Sequence, residues 1–361
     1  MNSFLTESQQ KELSEIANKL TKVGRGILAA DESTGTIGKR FSAINCTNNE
    51  QNRRLYRQML FSSGKVLSNY ISGVIMYDET FWQKSDEGVS FPEVLRGNGI
   101  LTGIKVDLGV VSINELETTT QGFDNLDKRC AEYKKAGADF AKWRCVLTIT
   151  DQTPSELAIV TNSNVLAWYA KICQRNGIVP IVEPEVLCDG THSLERCEYV
   201  TTKVLAAVYK ALNDQDVFLE GTLLKPNMVT SGMQANPQSS FSDNATATLR
   251  TLRRTVPSAV PGIVFLSGGF SESDSTNILN EINKQANTDR RMYPWSLSFS
   301  YGRALQHSVI RTWNGDCANN NLAVAQLIKR ANACSDAAQG VHSGTDDASA
   351  NESLFVAKHV Y

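Results

Sequence analysis

The sequence predicts a (β/α)8 barrel, an α/β fold in a single domain. Eight short β-rich runs, each ended by a polar residue or a glycine, recur with a period of about 40 residues. Stretches with helical spacing separate the runs, and the runs themselves are almost continuously apolar, which is typical of parallel strands covered on both faces. Eight alternations of strand and helix most simply close into a barrel. An open doubly wound sheet is the alternative.

The eight predicted strands are distributed along most of the chain. They are RGILAAD, ISGVIMYD, LTGIKVD, FAKWRCVL, VPIVEPEV, GTLLKPNMV, GIVFLSGG and WSLSFSYG, starting near residues 25, 71, 101, 140, 179, 221, 262 and 295. Predicted helices include DNLDKRCAEYKKAG after the third run, SNVLAWYAKICQRNG before the fifth and YVTTKVLAAVYKALND before the sixth. Near the N-terminus, Thr6 and Gln9 have the spacing of a capping box, which predicts the start of a further, amphipathic helix.

The domain organisation follows from the absence of a linker within this repeat. Residues 1–341 are expected to form one barrel domain with its N-terminal helix. Residues 342–361 are expected to form a mobile C-terminal tail, because HSGTDDASANES is polar and low in hydrophobicity. The tail ends in the apolar LFVAKHVY, which could dock on the body of the protein. Composition alone favours a tail that packs for stability or contacts a partner.

Composition excludes several classes of function. The chain has 361 residues, a formal net charge of -2 and 41% hydrophobic residues, so it has no general attraction for nucleic acid or an anionic membrane. It has no apolar run of membrane-spanning length and no signal-peptide core. Its eight cysteines have no CxxC spacing and read as reduced thiols of a cytoplasmic protein. The four histidines are far apart, so no metal is expected, and there is no nucleotide-binding fingerprint.

Charged residues are concentrated at the carboxyl ends of the predicted strands, where barrel enzymes hold their catalytic groups. They are Asp31, Lys105, Asp107, Lys142, Arg144, Glu183, Glu185 and Lys225. Side chains two residues apart on a strand share a face, and the outer face of a barrel is covered by helices. Any one of these residues could form a structural ion pair. Several that converge at one end of a barrel indicate a site where an amine works with a carboxylate.

Two lysines are candidates for a nucleophilic amine. An amine attacks a carbonyl carbon only when it is neutral, which requires desolvation or a nearby cation. Lys225 lies in the most apolar run, GTLLKPNMV, and Lys142 and Arg144 could supply the cation. These residues favour Lys225 and leave Lys142 open.

Glycines at the ends of the last two runs predict a phosphate site. LSGG (266–269) ends the seventh run and SYGR (300–303) ends the eighth. Exposed backbone N–H groups after strands seven and eight commonly hold phosphate in this fold, and Arg303 adds a forked, charged donor.

A second basic group follows the first run. Lys39 and Arg40 lie in DESTGTIGKR, with Ser33 and Thr36 as hydroxyl donors. Two basic sites on opposite sides of a barrel mouth suit a substrate with two phosphates. A solvated helix face is the alternative for Lys39 and Arg40.

Several of these segments together resemble one family. GILAADESTGTIGKRF, GIKVD, FAKWRCVL, PIVEPEVL, LLKPNMV, FLSGG and SFSYGRALQ closely resemble the class I fructose-bisphosphate aldolases. The resemblance extends from about Leu20 to Trp313 and recurs at the terminal tyrosine. It implies a homotetrameric (β/α)8 barrel that needs no metal or cofactor. The implied reaction is the reversible cleavage of fructose 1,6-bisphosphate into dihydroxyacetone phosphate and glyceraldehyde 3-phosphate, in glycolysis and gluconeogenesis.

The resemblance also implies catalytic roles. Lys225 matches the lysine that forms the imine, and Lys142 matches the lysine beside it. Glu183 matches the general acid/base and Glu185 its neighbouring acid. Asp31 matches the aspartate that orients the lysine and the substrate hydroxyls. Tyr361 matches the terminal tyrosine that assists proton exchange on the enamine.

The remaining matches concern substrate binding. The basic lining is matched by Lys39, Arg40, Lys105 and Arg144, of which Arg40 resembles a phosphate contact. The phosphate site is matched by Ser267, Gly268, Gly269, Ser300, Gly302 and Arg303. Three features depart from the commonest pattern: Thr36 replaces serine, Leu108 replaces a lysine, and NKQANTDRRMYP (283–294) is a few residues longer.

Two other functions remain open at this point. One is a different Schiff-base barrel lyase or a transaldolase-type enzyme. The other is a scaffold, without catalysis or in addition to it, that binds actin or another cytoskeletal or protein partner. The presence of Lys225, Glu183 and Asp31 favours catalysis.

Overall fold

The protein is described from a computed structural model, which covers residues 4–344 and 348–355. Its strands are β1 (Gly26–Ala30), β2 (Ile71–Met76), β3 (Leu101–Lys105), β4 (Val110–Ser112), β5 (Thr118–Thr120), β6 (Phe140–Leu147), β7 (Val179–Val186), β8 (Leu223–Leu224), β9 (Gly262–Phe265) and β10 (Ser296–Tyr301). All but β4 and β5 pair in parallel and close into a barrel, with β1 beside both β2 and β10. The predicted (β/α)8 barrel is therefore confirmed, and the open sheet is excluded.

Helices connect the barrel strands on the outside. They are α1 (Glu7–Leu20), α2 (Thr34–Ser42), α3 (Glu50–Phe61), α4 (Gly64–Leu67), α5 (Asp78–Trp82), α6 (Phe91–Gly97), α7 (Leu126–Lys135), α8 (Glu156–Arg175), α9 (Leu194–Asp214), α10 (Phe241–Thr255), α11 (Glu272–Asn287), α12 (Arg303–Trp313) and α13 (Asn320–Ala337). The three helices predicted as examples correspond to α7, α8 and α9. The capping box is also present: Thr6 Oγ1 accepts from Gln9 N, and Thr6 N donates to Gln9 Oε1 at 2.9 Å.

The sixth predicted strand is much shorter than its run of nine residues. Only Leu223 and Leu224 have regular pairing, although Lys225 N still donates to Val182 O at 2.8 Å. Pro226 then lacks an N–H to donate and cannot continue as a donor in the ladder. The lysine therefore lies just where the regular strand ends.

Two other differences concern connections. The hairpin of β4 and β5 was not predicted, because antiparallel strands of three residues leave too short a pattern to recognise. The segment 283–294 is not wholly a loop: residues 283–287 are the last residues of α11. Part of its apparent extra length is therefore helix.

Apolar residues fill the interior of the barrel away from the charged ends. The Phe140 ring occupies space beside Gly73 and Gly103, and a Cβ at either glycine would collide with it. Helix α1 joins this cluster through Leu13, Ile16, Ala17 and Leu20. Because this end is packed with hydrocarbon, the polar side chains are left to the carboxyl end.

Some expectations lie outside these observations. Tyr361 is not among the described residues. None of the helices in the described part of the chain is long and apolar enough to cross a membrane. The eight cysteines all fall within the described ranges, and none of them forms a disulfide there.

Candidate active site

A charged cleft lies at the carboxyl ends of the barrel strands. It is lined by Ala29, Asp31, Glu32, Arg40, Lys142, Arg144, Glu183, Glu185, Lys225, Leu266, Ser267, Gly268, Ser300, Gly302 and Arg303. Twelve of these residues were predicted from the sequence. The fold thus brings together groups from strands far apart in the chain.

Four buried charges form a continuous chain at the centre of the cleft. Glu183 contacts both lysines: its Oε1 lies 3.2 Å from Lys225 Nζ and its Oε2 lies 3.3 Å from Lys142 Nζ. Lys142 Nζ also donates to Asp31 Oδ2 at 2.9 Å. Parallel pairing of β6 with β7 positions Lys142 and Glu183. The main-chain hydrogen bond from Lys225 N to β7 brings Lys225 beside them.

The protonation states at one end of this chain are set by competition between burial and charge. Burial raises the pKa of Asp31, but the nearby cations Lys142 and Lys225 outweigh burial and hold that pKa below its ordinary value. Burial lowers the pKa of Lys142, but Asp31 and Glu183 outweigh it and raise that pKa. Asp31 is therefore held as an anion and Lys142 as a cation.

The two lysines differ in their carboxylate partners, not in burial. Each is 4% exposed, so the expected difference in apolar setting does not distinguish them. Lys142 contacts two carboxylates, whereas Lys225 has one such ion pair. A neutral amine is easier to reach with fewer anions nearby, and this favours Lys225 as the nucleophile.

A second buried ion pair lies beside the first group. Arg144 Nε contacts Glu185 Oε2, from strands β6 and β7. Burial raises the pKa of Glu185, but the Arg144 guanidinium outweighs it and keeps that pKa below its ordinary value. Glu185 is therefore held as an anion.

The predicted phosphate loops lie together at the other side of the cleft. Gly268 and Gly269 have φ values of 59° and 92°, a region that favours glycine. Ser300 Oγ is buried and has no hydrogen-bond partner among the described residues. Arg303 begins α12 and donates to Leu354 O at 2.6 Å. The backbone N–H groups of the glycine loop, the Ser300 hydroxyl and the Arg303 guanidinium therefore offer hydrogen-bond donors to an anion at one place.

Of the four residues predicted as binding groups after the first strand, the structure places one in the cleft lining and three outside it. Arg40 lines the cleft, whereas Lys39 is exposed and is not part of the lining. Ser33 caps α2, and its hydroxyl lies 3.0 Å from that of Thr36. These two hydroxyls therefore serve the start of the helix and lie outside the lining.

Two further predicted residues lie outside the lining. Lys105 Nζ forms an ion pair with Asp107 at 2.6 Å. Gly269 lies in the loop after β9, next to the lining residue Gly268 and close to Phe355.

Sequence reasoning missed a polar group that supports Arg40. Glu32 contacts Arg40 and lies 2.6 Å from Arg57, and it is 4% exposed. Gln306 of α12 donates to Glu32 Oε1 at 3.0 Å and to Ala29 O at 2.8 Å. The position of Glu32 directly after Asp31 was a usable signal. Arg57 and Gln306 lie within helices and gave none.

Metal ligation is not indicated by this geometry. Within residues 4–344 and 348–355, no three His, Cys, Asp or Glu side chains are grouped so as to hold a metal ion.

The fold and the position of the cleft define an enzyme of the (β/α)8 barrel class.

Comparison with known proteins identifies the family within this class. The family model "Fructose-bisphosphate aldolase class-I" matches residues 12–361. The non-muscle aldolase of Lethenteron camtschaticum is 57% identical, over 99% of this chain and 98% of that protein. Aldolase A of Salmo salar is also 57% identical with the same coverage. Fructose-bisphosphate aldolase from Plasmodium falciparum, solved with TRAP and an inhibitor, superposes with a TM-score of 0.92 at 50% identity, covering 96% of this chain and 99% of that one.

The chain belongs to the class I fructose-bisphosphate aldolase family. It is a lyase that cleaves fructose 1,6-bisphosphate reversibly in glycolysis. The comparisons favour this catalysis over the scaffold role and over a different barrel lyase.

The central charge chain makes a prediction about stability. Replacing Lys142 by Met leaves Asp31 and Glu183 buried without the cation between them, and we expect a loss of about 3–5 kcal/mol in unfolding free energy at pH 7. The folded-state pKa of Asp31 is lowered in the wild type, so its stabilisation is present above the unfolded value of about 3.9 and is lost as pH falls. In Lys142→Met the buried carboxyl gains a proton more readily, so the deficit should be smaller at pH 5.

Urea unfolding at both pH values measures this difference. Lys210→Met is the matched control, because Lys210 pairs with Asp214 on the surface, where a change stays within about 0.5 kcal/mol. Equal deficits for the two variants, or a deficit at pH 5 as large as at pH 7, would contradict the interpretation.

Proposed function

We propose that Lys225 is the nucleophile that forms the imine with fructose 1,6-bisphosphate, with Glu183 as its acid and base. The observation that carries this proposal is the position of Glu183 between two buried lysines, 3.2 Å from Lys225 and 3.3 Å from Lys142. A proton that moves from Lys225 to Glu183 leaves the summed charge of the buried chain unchanged. It also produces the neutral amine and the protonated acid that imine formation requires.

The covalent steps follow from these two groups. Neutral Lys225 Nζ attacks the C2 carbonyl, and Glu183 protonates the departing hydroxyl, which leaves as water. The iminium then accepts the electron pair of the C3–C4 bond, while Glu183 takes the C4 hydroxyl proton as the aldehyde forms. Protonation of the enamine at C3 and hydrolysis of the imine release dihydroxyacetone phosphate and return Lys225 to its free form. Lys142 and Asp31 keep their charges throughout and orient the two reacting groups.

The two phosphates are assigned to two separate groups of donors in the cleft. Ser267, Gly268, Ser300, Gly302 and Arg303 are proposed to hold the phosphate of the dihydroxyacetone half. Backbone N–H groups and a guanidinium suit a dianion there. Arg40, held by Glu32, is proposed to hold the other phosphate. Anchoring both ends would fix the reacting carbons beside Lys225.

Chemical trapping tests the nucleophile. Borohydride reduces an imine to a stable secondary amine, so incubation with dihydroxyacetone phosphate should label one lysine. We expect a single adduct on Lys225, in the peptide containing GTLLKPNMV, because its amine is the one with a single carboxylate partner. Peptide mapping by mass spectrometry identifies the site.

Matched variants sharpen this test. Lys225→Met should give no adduct, and Lys39→Met, which changes an exposed lysine outside the lining, should be labelled like the wild type. An adduct on Lys142, or none in the wild type, would refute the proposed mechanism.

We also propose that residues 342–361 form a tail that docks at the phosphate side of the cleft. Support comes from residues 348–355: Leu354 O accepts from Arg303, and Glu352 Oε2 lies 2.9 Å from His307 Nε2 and contacts Arg311. These contacts join Glu352 and Leu354 to α12, which begins at the cleft residue Arg303. Tyr361 is proposed to assist proton exchange on the enamine, as the family resemblance implies.

Removing Tyr361 should slow turnover of fructose 1,6-bisphosphate by about tenfold or more, because a general acid/base would be lost. Thermal unfolding and borohydride labelling of Lys225 should stay unchanged. Tyr361→Phe separates the hydroxyl from the ring: it should be as slow as the deletion if the hydroxyl transfers the proton. Wild-type turnover in the deletion would leave the tail with a packing role.

A homotetramer in the cytoplasm is the proposed assembly and location. Helix α8 exposes Leu157, Val160 and Trp168, which are 60%, 45% and 53% exposed, and we assign this face to contact with another copy. Sedimentation equilibrium should give the mass of four chains. Trp168→Glu should lower it, while Leu322→Glu, a change to an exposed leucine on α13, should not. A monomeric wild type would refute the assembly.

A further inference from the structure

The two halves of the phosphate site belong to separate strand–helix units. Ser267 and Gly268 follow β9 and lead into α11, whereas Gly302 and Arg303 follow β10 and begin α12. Pairing between these strands ends at Phe265 and Phe299, before either half begins. Beyond this ladder, a join between α11 and α12 can fix the distance between the two halves, in addition to the bond from Tyr301 Oη to Ser275 O of α11.

A buried carboxylate makes this join. Glu272, the first residue of α11, is 1% exposed. Its Oε1 accepts from Ser308 N at 3.0 Å and from Ser308 Oγ at 2.9 Å, and Ser308 lies five residues after Arg303 in α12. The link therefore connects the start of one helix directly to the second turn of the other.

A third helix holds the carboxylate in place. Arg330 of α13 is 2% exposed, and its Nε lies 3.8 Å from Glu272 Oε2. Arg330 Nη2 also donates to Glu272 O at 2.7 Å and to Thr276 Oγ1 at 2.8 Å. The guanidinium thus fixes both the side chain and the main chain at the start of α11.

Stability alone does not account for such a group. Burying a carboxylate and a guanidinium costs desolvation energy, and well-packed apolar residues often replace a buried ion pair without loss. Burial raises the pKa of Glu272 against the lowering effect of Arg330, which shows that the desolvation is not fully compensated. Apolar packing would not provide a directed hydrogen bond between α11 and a fixed point on α12.

We propose that Glu272 is a positioning residue: through Ser308 it holds Gly302 and Arg303 at a fixed distance from Ser267 and Gly268. It thereby sets the affinity of the cleft for the phosphate of dihydroxyacetone phosphate. Shifts of a few tenths of an ångström weaken short charged hydrogen bonds, so a loosened join lowers phosphate affinity without touching the amine. This inference rests on the proposed function of the phosphate site.

The test compares a ligand with and without its phosphate. Borohydride labelling of Lys225 is measured against the concentration of dihydroxyacetone phosphate and, separately, of dihydroxyacetone. For Glu272→Ala we expect the half-saturating concentration of dihydroxyacetone phosphate to rise about tenfold, as befits loss of a charged hydrogen bond. The value for dihydroxyacetone should match the wild type. Glu272→Gln keeps an acceptor for Ser308. Its half-saturating concentration of dihydroxyacetone phosphate should lie within about threefold of the wild-type value.

Two further variants keep the result interpretable. Ser308→Ala removes one donor with little change of volume and should raise the value for dihydroxyacetone phosphate about threefold, so it carries the test if Glu272→Ala does not fold. Glu198→Gln is the matched control: Glu198 joins α9 to α10 through Arg250 at 2.6 Å, away from the cleft lining, and should leave both values unchanged.

The outcomes separate the two proposals. Labelling of Lys225 in the wild type supports the proposed function whatever the Glu272 variants show. If the half-saturating concentrations of both ligands rise together, or that of dihydroxyacetone phosphate does not rise in folded Glu272→Ala or Ser308→Ala, the positioning role is overturned. A rise for dihydroxyacetone phosphate alone, largely restored in Glu272→Gln, supports it.

Discussion

The charged centre of the cleft depends on one buried carboxylate that is shared by two lysines. Glu183 contacts Lys225 through one oxygen and Lys142 through the other, and Asp31 completes the chain beyond Lys142. Two cations and two anions sum to zero, which is how ionised groups can remain inside a barrel. The proton transfer proposed between Lys225 and Glu183 would keep this sum at zero. Lys142, which contacts both carboxylates, is held as a cation.

The surrounding fold keeps these four charged side chains at the carboxyl end of the barrel, because the other end has no room for them. The opposite end of the barrel is filled by Phe140, for which Gly73 and Gly103 leave room, and α1 covers the same cluster. Polar side chains can therefore be accommodated only at the carboxyl end. There the regular strand β8 ends at Leu224, so that Lys225 is both tied to β7 by its main chain and directed into the cleft.

The substrate half of the site follows a different principle. Its donors come from loops and helix starts, whose positions are less constrained than strand residues. Glu32 holds Arg40 in place, and Glu272 joins α11 to α12. Both carboxylates are buried and neither is assigned to the chemical step. Under the proposed assignment, both lie behind groups that would contact a phosphate, whose charge must be matched by several donors at once.

The sequence was enough to predict the barrel, its eight strands and most of the cleft lining, because strand periodicity and strand ends are local properties of the chain. Lys225, Glu183 and Ser267 could be placed from their positions alone. It could not show that Lys225 and Lys142 are equally buried, since burial depends on residues distant in the chain. From its residue types alone it could not separate Arg40 from Lys39, and only the family resemblance singled out Arg40. Both lie on one short helix, and the packing of that helix decides that Arg40 lines the cleft. Only the folded arrangement shows which carboxylate meets which cation. That choice depends on distances of about 3 Å between residues on different strands, which no local pattern encodes.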